Sequence, residues 1–293
     1  FILLVLFGYL STTAHRNIPF FVLILIPFIG FALTQLFEKL KITSKVLTPI
    51  ALTGSFIVYG LIASNWYYRK IDSPNDFGIG ISHWNNPIQV SEFMRHNEIK
   101  GKGFSDYLIS SYLLWDQKED FKSYIDFRDL DIFPEKFFNQ FLRITEFPVL
   151  FIEEDKKQDF DYVTLYRLRF SKLHKYLYHS PDWELAYANI IGCVYVKKSK
   201  FPNIQKGSFS VQQSQLQQTR YQATLSNLFW PFSKISFEPY SDDIEGANFY
   251  KNISDYGEAQ QFANKAKEDD TWQEEASVIE ANIYLNMADE ATR

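Results

Sequence analysis

The stretch IPFFVLILIPFIGFALTQLF, residues 18–37, contains no charged side chain. A helix of about 20 residues rises about 30 Å, which is the thickness of the hydrocarbon core of a bilayer. A second uncharged run extends from Val46 to Tyr68, and residues 1–10 are apolar from the first residue, which we interpret as the trailing half of another span. The pattern predicts a multi-pass α-helical membrane segment over residues 1–70, with about three helices of which the first is truncated. The alternative is that these runs are buried core helices of a soluble protein.

Charges between the two runs indicate the orientation of this segment. Residues 38–45, EKLKITSK, hold three lysines, whereas the loop before the first run, residues 11–17, holds only His15 and Arg16. Short basic loops stay on the cytoplasmic side of a membrane. We therefore expect the region after residue 70 to be extracytoplasmic, although Arg69 and Lys70 favour the opposite orientation.

Charge is distributed unevenly along the chain. Residues 1–70 hold six Lys or Arg and one acid, whereas the remaining residues hold 24 basic and 34 acidic side chains. Binding to nucleic acid needs a basic face, so no nucleic-acid partner is expected. The single cysteine, Cys193, lies in the apolar run IIGCVYV, which is typical of a buried small residue rather than a reactive thiol.

Residues 71–200 predict a small α/β domain with a mixed sheet. Apolar residues at helical spacing predict helices over residues 104–115 and 134–144. β-branched and aromatic residues predict strands over residues 123–127, 162–168, 183–188 and 192–196. Residues 189–192 are typical of a hairpin turn between the last two strands.

Two segments follow this domain. Residues 201–240 include a tract rich in Gln and Ser, which predicts a linker or an exposed helix. Residues 241–293 repeat themselves at an offset of 34 residues, because ANFYKN at 247–252 returns as ANIYLN at 281–286. This is the period of the tetratricopeptide repeat, which predicts a truncated α-helical repeat segment. Small residues are expected at its close-packed positions, namely Ala259, Ala263, Ala266 and Ala276. The alternative is a chance similarity between two amphipathic helices.

Five short motifs follow one another along residues 1–200: AHRNIP at 14–19, YLISSYLLW at 107–115, YIDFR at 124–128, DYVTLY at 161–166, and WELAY at 183–187 running into VYV at 194–196. Their order and spacing resemble the carboxy-terminal half of bacterial membrane glycosyltransferases of the C-type superfamily. That group includes the dolichyl-phosphate-mannose protein mannosyltransferases. Phe127 departs from the pattern, because the family has an Asp-Gly-Arg turn there.

The resemblance implies an enzyme of the bacterial inner (cytoplasmic) membrane that transfers a hexose from a polyprenyl-phosphate donor. In this superfamily the catalytic carboxylate, which acts as base or metal ligand, lies in the first extracytoplasmic loop. That loop would precede Phe1, so no catalytic residue is assigned and no cofactor is expected within this chain. The implied partners are the lipid bilayer, the polyprenyl-phosphate sugar, and a protein bound at the helical repeats.

Arg16 is the leading candidate for binding the donor phosphate, together with His15. A guanidinium at the outer membrane face would form paired hydrogen bonds with a phosphate and neutralise its charge as the glycosidic bond breaks. The alternative is a cation that anchors the chain at the lipid headgroups. Asp126 and Arg128, two residues apart, lie on one side of an extended chain, either at the acceptor side of a site or as a structural ion pair. The five histidines show no metal-ligand spacing, so no metal site is assigned.

Two other classes of protein fit the same features. A non-enzymatic membrane-anchored scaffold would bind envelope proteins through its helical repeats. A transporter subunit would show charged or Gly/Pro-broken segments in matched halves.

Overall fold

The computed structural model describes residues 2–13, 17–39, 44–64, 66–70, 86–118, 121–126, 133–210, 241–269 and 272–292. The chain divides into two compact units, residues 1–67 and 68–293. The first unit contains the helices α1 (Ile2–Thr13), α2 (Ile18–Lys39) and α3 (Ser44–Ala63), and a short helix α4 (Trp66–Lys70) spans the boundary.

The prediction of a multi-pass membrane segment is wrong. Within the described ranges, only α2 is long and apolar enough to cross a bilayer. The uncharged run of residues 46–68 is divided between two helices, because α3 ends at Ala63 and α4 begins at Trp66. The apolar part of α3, Thr48–Ala63, therefore rises only about 24 Å, and α1 is shorter, with 12 residues.

The second unit contains a five-stranded mixed sheet with the strand order β2-β1-β3-β5-β4. Strands β1, β2 and β3 are parallel, whereas β5 is antiparallel to both β3 and β4. Its elements in chain order are α5 (Ile88–His96), β1 (Gly101–Ser105), α6 (Tyr107–Gln117), β2 (Phe121–Ser123), α7 (Glu135–Glu146), α8 (Pro148–Gln158), β3 (Tyr162–Tyr166), α9 (Ser171–His179), β4 (Trp183–Ala188), β5 (Gly192–Lys197), α10 (Asp242–Asn252), α11 (Tyr256–Ala266) and α12 (Gln273–Ala291).

The order of the parallel strands reverses at β1. From β1 the chain passes through α6 to β2 on one side, and it then returns through α7 and α8 to β3 on the other side of β1. The connections that leave the carboxyl ends of β1 and β3 therefore diverge. In open α/β sheets such a reversal of strand order is the usual position of a ligand site.

Aromatic side chains fill the core on the α7–α9 face of the sheet. Phe104 of β1 is fully buried, and its ring contacts the rings of Tyr124, Phe141, Phe151 and Phe160 at centroid distances of 5.2–5.5 Å. A second cluster on the opposite face contains Val90 of α5 and Leu113 of α6. The sheet is thus covered on both faces, which explains why β3 is buried along most of its length.

Several strands and helices match the sequence predictions. Strand β4 has the predicted bounds, and β3 and β5 begin where predicted. The side chain of Asn189 accepts hydrogen bonds from the backbone N–H groups of Ile191 and Gly192, which confirms the hairpin turn. The predicted strand over residues 123–127 is wrong, because β2 ends at Ser123. Strand β1 was not predicted, and the helix expected from residue 104 begins at Tyr107.

The carboxy-terminal helices pack on α9 through buried and polar contacts. The Arg167 guanidinium forms a buried ion pair with Glu245, and the Tyr178 hydroxyl donates to Asp255 at 2.5 Å. His179 Nε2 donates to the carbonyl oxygen of Ile253 at 2.8 Å. Of the predicted linker, residues 201–210 are described, and Phe209 is buried in the same apolar cluster as α10 and α11. The described helices 242–291 and the α/β domain therefore share one core.

Gly103 allows β1 and β3 to pair closely. A Cβ atom at this position would overlap the ring of Tyr162, which is fully buried and has no room to move. We expect Gly103→Ala to lower the free energy of unfolding by about 1–3 kcal/mol, as overpacking does in well-packed cores. The change in the free energy of unfolding is measured by urea denaturation, with tryptophan fluorescence as the signal. Gly257→Ala is the control, because its nearest non-local atom would be 3.7 Å away, and equal stability of the two variants would contradict the argument.

Candidate functional site

Asp106 directly follows the carboxyl end of β1, where the strand order reverses. It is the N-cap residue of α6, and its Oδ1 accepts a hydrogen bond from the backbone N–H of Leu108 at 3.0 Å. Its own backbone N–H donates to the carbonyl oxygen of Thr164 in β3 at 2.8 Å. The backbone of Asp106 is therefore bonded to β3, and its side chain is bonded to the first turn of α6.

Arg169 reaches the same carboxylate from the end of β3. Its Nη1 donates to Asp106 Oδ1 at 2.9 Å, and the guanidinium lies 4.6 Å from the ring centroid of Tyr107 and 4.5 Å from that of Phe170. Two aromatic rings and one carboxylate thus fix the cation. A quarter of the Arg169 side chain is exposed, and its Nε and Nη2 have no hydrogen-bond partner among the described residues.

Phe170 has an unusual backbone conformation that positions its ring. Its φ angle is 59°, in the left-handed region that bulky residues rarely adopt. The residue stands immediately before α9 and turns its ring toward Arg169. Backbone strain of this kind is concentrated at ligand-binding and catalytic sites.

The Asp106 carboxyl is buried without full satisfaction of its oxygens. Oδ2 is buried and has no hydrogen-bond partner in the described part of the chain. Burial raises the pKa of Asp106 above its usual value, while the backbone N–H groups of Leu108 and Tyr166 and the charge of Arg169 oppose that rise. A buried oxygen without a hydrogen bond costs about 1–3 kcal/mol, and a proton on the carboxyl group would reduce this cost.

The residues proposed from sequence are placed as follows. Asp126, which is 4% exposed, follows β2 at the same edge of the sheet as Asp106. His15, Arg16 and Arg128 lie outside the described residues. Sequence reasoning did not single out Asp106, Arg169 or Phe170 as site residues. The pattern Ser-Asp at the start of an apolar helix could have indicated Asp106 as an N-cap, but nothing in the sequence pairs it with a residue 63 positions away.

Two other titratable groups of the unit, Cys193 and His174, are buried in its core. Cys193 is buried as predicted, and burial raises the pKa of its thiol well above the usual value. His174 is buried between α9 and α10, and burial lowers its pKa to about 4. No group of three or more His, Cys, Asp or Glu side chains within the described ranges is placed to hold a metal ion.

Comparison of the chain with protein-family models, with curated proteins and with solved structures finds no match. The site is therefore interpreted from its own geometry.

Proposed function

We propose that this protein takes part in glycosyl transfer from a polyprenyl-phosphate-linked sugar. We further propose that the carboxyl edge of the sheet, formed by Asp106, Tyr107, Arg169 and Phe170, binds the sugar-phosphate group of the donor. The observation that carries the proposal is the fixed guanidinium of Arg169, whose remaining N–H donors have no described protein partner.

The chemistry of this edge suits a sugar phosphate. A guanidinium binds phosphate oxygens by paired, charge-assisted hydrogen bonds, and its positive charge stabilises the phosphate that leaves when the glycosidic bond breaks. Helix α2 is long and apolar enough to hold the protein at the membrane that contains a polyprenyl donor. The described residues of this edge would bind and orient the donor.

We expect Arg169→Met to reduce sugar transfer by roughly tenfold to 100-fold, because one or two charge-assisted hydrogen bonds are lost. The full-length protein in native membranes is incubated with tritiated mannose, glucose or N-acetylglucosamine linked to undecaprenyl phosphate, and transfer to endogenous acceptors is measured. Arg95→Met is the matched control, because Arg95 forms an exposed ion pair with Asp116 in α5 and α6, away from this edge.

A second variant separates binding from folding. Arg169→Met leaves the buried Asp106 carboxylate without its ion-pair partner, whereas the double variant Asp106→Asn/Arg169→Met removes that charge and keeps a good N-cap residue. Reduced transfer in both variants, with normal abundance in the membrane, supports the proposal. Unchanged transfer in both variants refutes the role of the edge, and absence of transfer by the wild-type protein leaves the scaffold as the surviving alternative.

A further inference from the structure

A cavity of about 510 Å³ lies beside the amino ends of β1 and β3. It is lined by residues 101–103 of β1, by residues 122–124 in and after β2, and by residues 160–161 before β3. Its volume is typical of sites that bind small organic molecules. Asp106 follows the opposite end of β1, about 13 Å along the chain from Lys102, so this cavity is separate from the candidate site at the carboxyl ends of the strands.

Two lysines stand side by side at this cavity. Lys102 of β1 and Lys122 of β2 are register partners in parallel strands, so their side chains leave the same face of the sheet from backbones about 5 Å apart. Both side chains are exposed. Like charges at neighbouring positions of a sheet repel each other. An anion bound between the two ammonium groups would replace this repulsion with attraction.

The Lys102 ammonium group is held in place by an uncharged partner. Its Nζ donates to Gln158 Oε1 at the end of α8, and Gln158 Nε2 in turn donates to Glu154 Oε1 at 2.9 Å. An ammonium group has three N–H donors, so two donors of Lys102 are left for a ligand. The Lys122 ammonium group forms no hydrogen bond or ion pair with any described residue. Neither lysine is therefore paired with a carboxylate in the described part of the chain.

The acid that lines the cavity, Asp161, is engaged by other groups. Its Oδ1 pairs with Lys200 at 2.6 Å, and its Oδ2 accepts the backbone N–H of Lys102 at 2.5 Å. Lys200 also pairs with Asp159 at 2.8 Å, and Lys197 pairs with the same carboxylate at 3.1 Å. These acids are thus satisfied within their own cluster, and they do not pair with the ammonium groups of the cavity.

We propose that this cavity binds a small soluble phosphate monoester, with its phosphate group between Lys102 and Lys122. A phosphate monoester carries close to two negative charges and three acceptor oxygens, so it can pair with both ammonium groups at once, whereas a carboxylate carries one charge. The volume of the cavity leaves room for the organic part of the ligand beside Tyr124, which is partly exposed. The proposal does not depend on the glycosyl-transfer activity, because neither lysine contacts Asp106 or Arg169.

Calorimetric titration of the full chain in phosphatidylcholine nanodiscs tests this site, with glucose 6-phosphate and glycerol 3-phosphate as probes and glucose as the uncharged control. We expect saturable binding of at least one phosphate and no binding of glucose. Lys122→Met should raise the Kd at least about tenfold, because one charge-assisted hydrogen bond is lost, and Lys122→Arg should restore binding. Lys265→Met is the matched control, because Lys265 is an exposed lysine of α11, and its Kd should equal that of the wild type.

Three results would overturn the proposal. The first is absence of saturable binding of both phosphates, or binding of glucose with the same Kd. The second is a Kd that Lys122→Met leaves unchanged. The third is loss of binding in nanodiscs that contain phosphatidic acid, which would show that a lipid phosphate, rather than a soluble molecule, occupies the lysines. Because Lys122 is exposed, Lys122→Met should fold with at least the thermal stability of the wild type.

Discussion

Replacing Arg167 by Ala is expected to lower the free energy of unfolding of the second unit by about 3–5 kcal/mol, because a buried ion pair then loses one partner. The Arg167 side chain is 3% exposed, and its Nε also donates to the carbonyl oxygen of Ile190 at 3.1 Å. The substitution leaves Glu245 of α10, whose side chain is only 15% exposed, without its ion-pair partner. Hydrogen–deuterium exchange should show faster exchange in α10 and α11, and urea denaturation gives the change in free energy.

The matched comparison is an exposed ion pair in the same interface. Lys175 and Glu290 are both about half exposed, so Lys175→Ala should cost less than about 1 kcal/mol. The double variant Arg167→Met/Glu245→Leu should recover most of the stability lost in Arg167→Ala, because it removes both buried charges. If Arg167→Ala and Lys175→Ala lowered the free energy of unfolding equally, the Arg167–Glu245 ion pair would not be what fixes α10 and α11 to the α/β domain.

The second unit is expected to lose roughly 3 kcal/mol of stability between pH 7 and pH 4 through one histidine. Burial lowers the pKa of His174 from 6.5 to about 4, and the nearby charge of Arg167 acts in the same direction. Between pH 6.5 and pH 4, His174 binds a proton in the unfolded chain and stays neutral in the folded chain. The contribution of His174 to the free energy of unfolding is therefore fully present above pH 6.5 and is lost as the pH falls toward 4.

The contacts of His174 explain why it is neutral in the folded chain. The Tyr195 hydroxyl donates to Nδ1 at 2.9 Å, and Nε2 donates to the carbonyl oxygen of Tyr166 at 3.3 Å, so one neutral tautomer satisfies both partners. Urea denaturation at a series of pH values measures the slope of the free energy of unfolding against pH. His174→Gln should flatten it, whereas His96→Gln, at an exposed position in α5, should leave it unchanged. An unaltered slope in His174→Gln would refute this assignment.

Local sequence patterns are sufficient to predict a strand or helix when the residues within it determine its structure. Strand β4 was predicted with its observed bounds because aromatic and alternating apolar residues are followed by the turn at Asn189. The small residues of the repeat segment were expected at close-packed positions, and Ala259, Ala263, Ala266 and Ala276 are each buried. The tetratricopeptide assignment itself stays a prediction, as do the polyprenyl-phosphate donor and the extracytoplasmic location.

Tertiary contacts explain what the sequence did not reveal. The residues Gly-Lys-Gly at 101–103 are typical of a turn, yet they form β1, because Gly103 is required where the ring of Tyr162 crosses the strand. An uncharged run also does not show where a helix ends, so residues 46–68 predict a single span although two helices form there. The candidate site joins Asp106 and Arg169 at the carboxyl ends of the paired strands β1 and β3, and that proximity follows from strand order, which no local pattern encodes.

The central claim is that Arg169, fixed by Asp106, binds the phosphate of a polyprenyl-linked sugar. Its most direct test is a calorimetric titration of the full chain in nanodiscs with mannose, glucose or N-acetylglucosamine linked to citronellyl phosphate, a soluble short-chain donor. We predict saturable binding of at least one of these sugars, with a Kd that rises roughly tenfold to 100-fold in Asp106→Asn/Arg169→Met and stays unchanged in Arg95→Met. The same Kd in the wild type and in the double variant, or no binding to either, would contradict the claim.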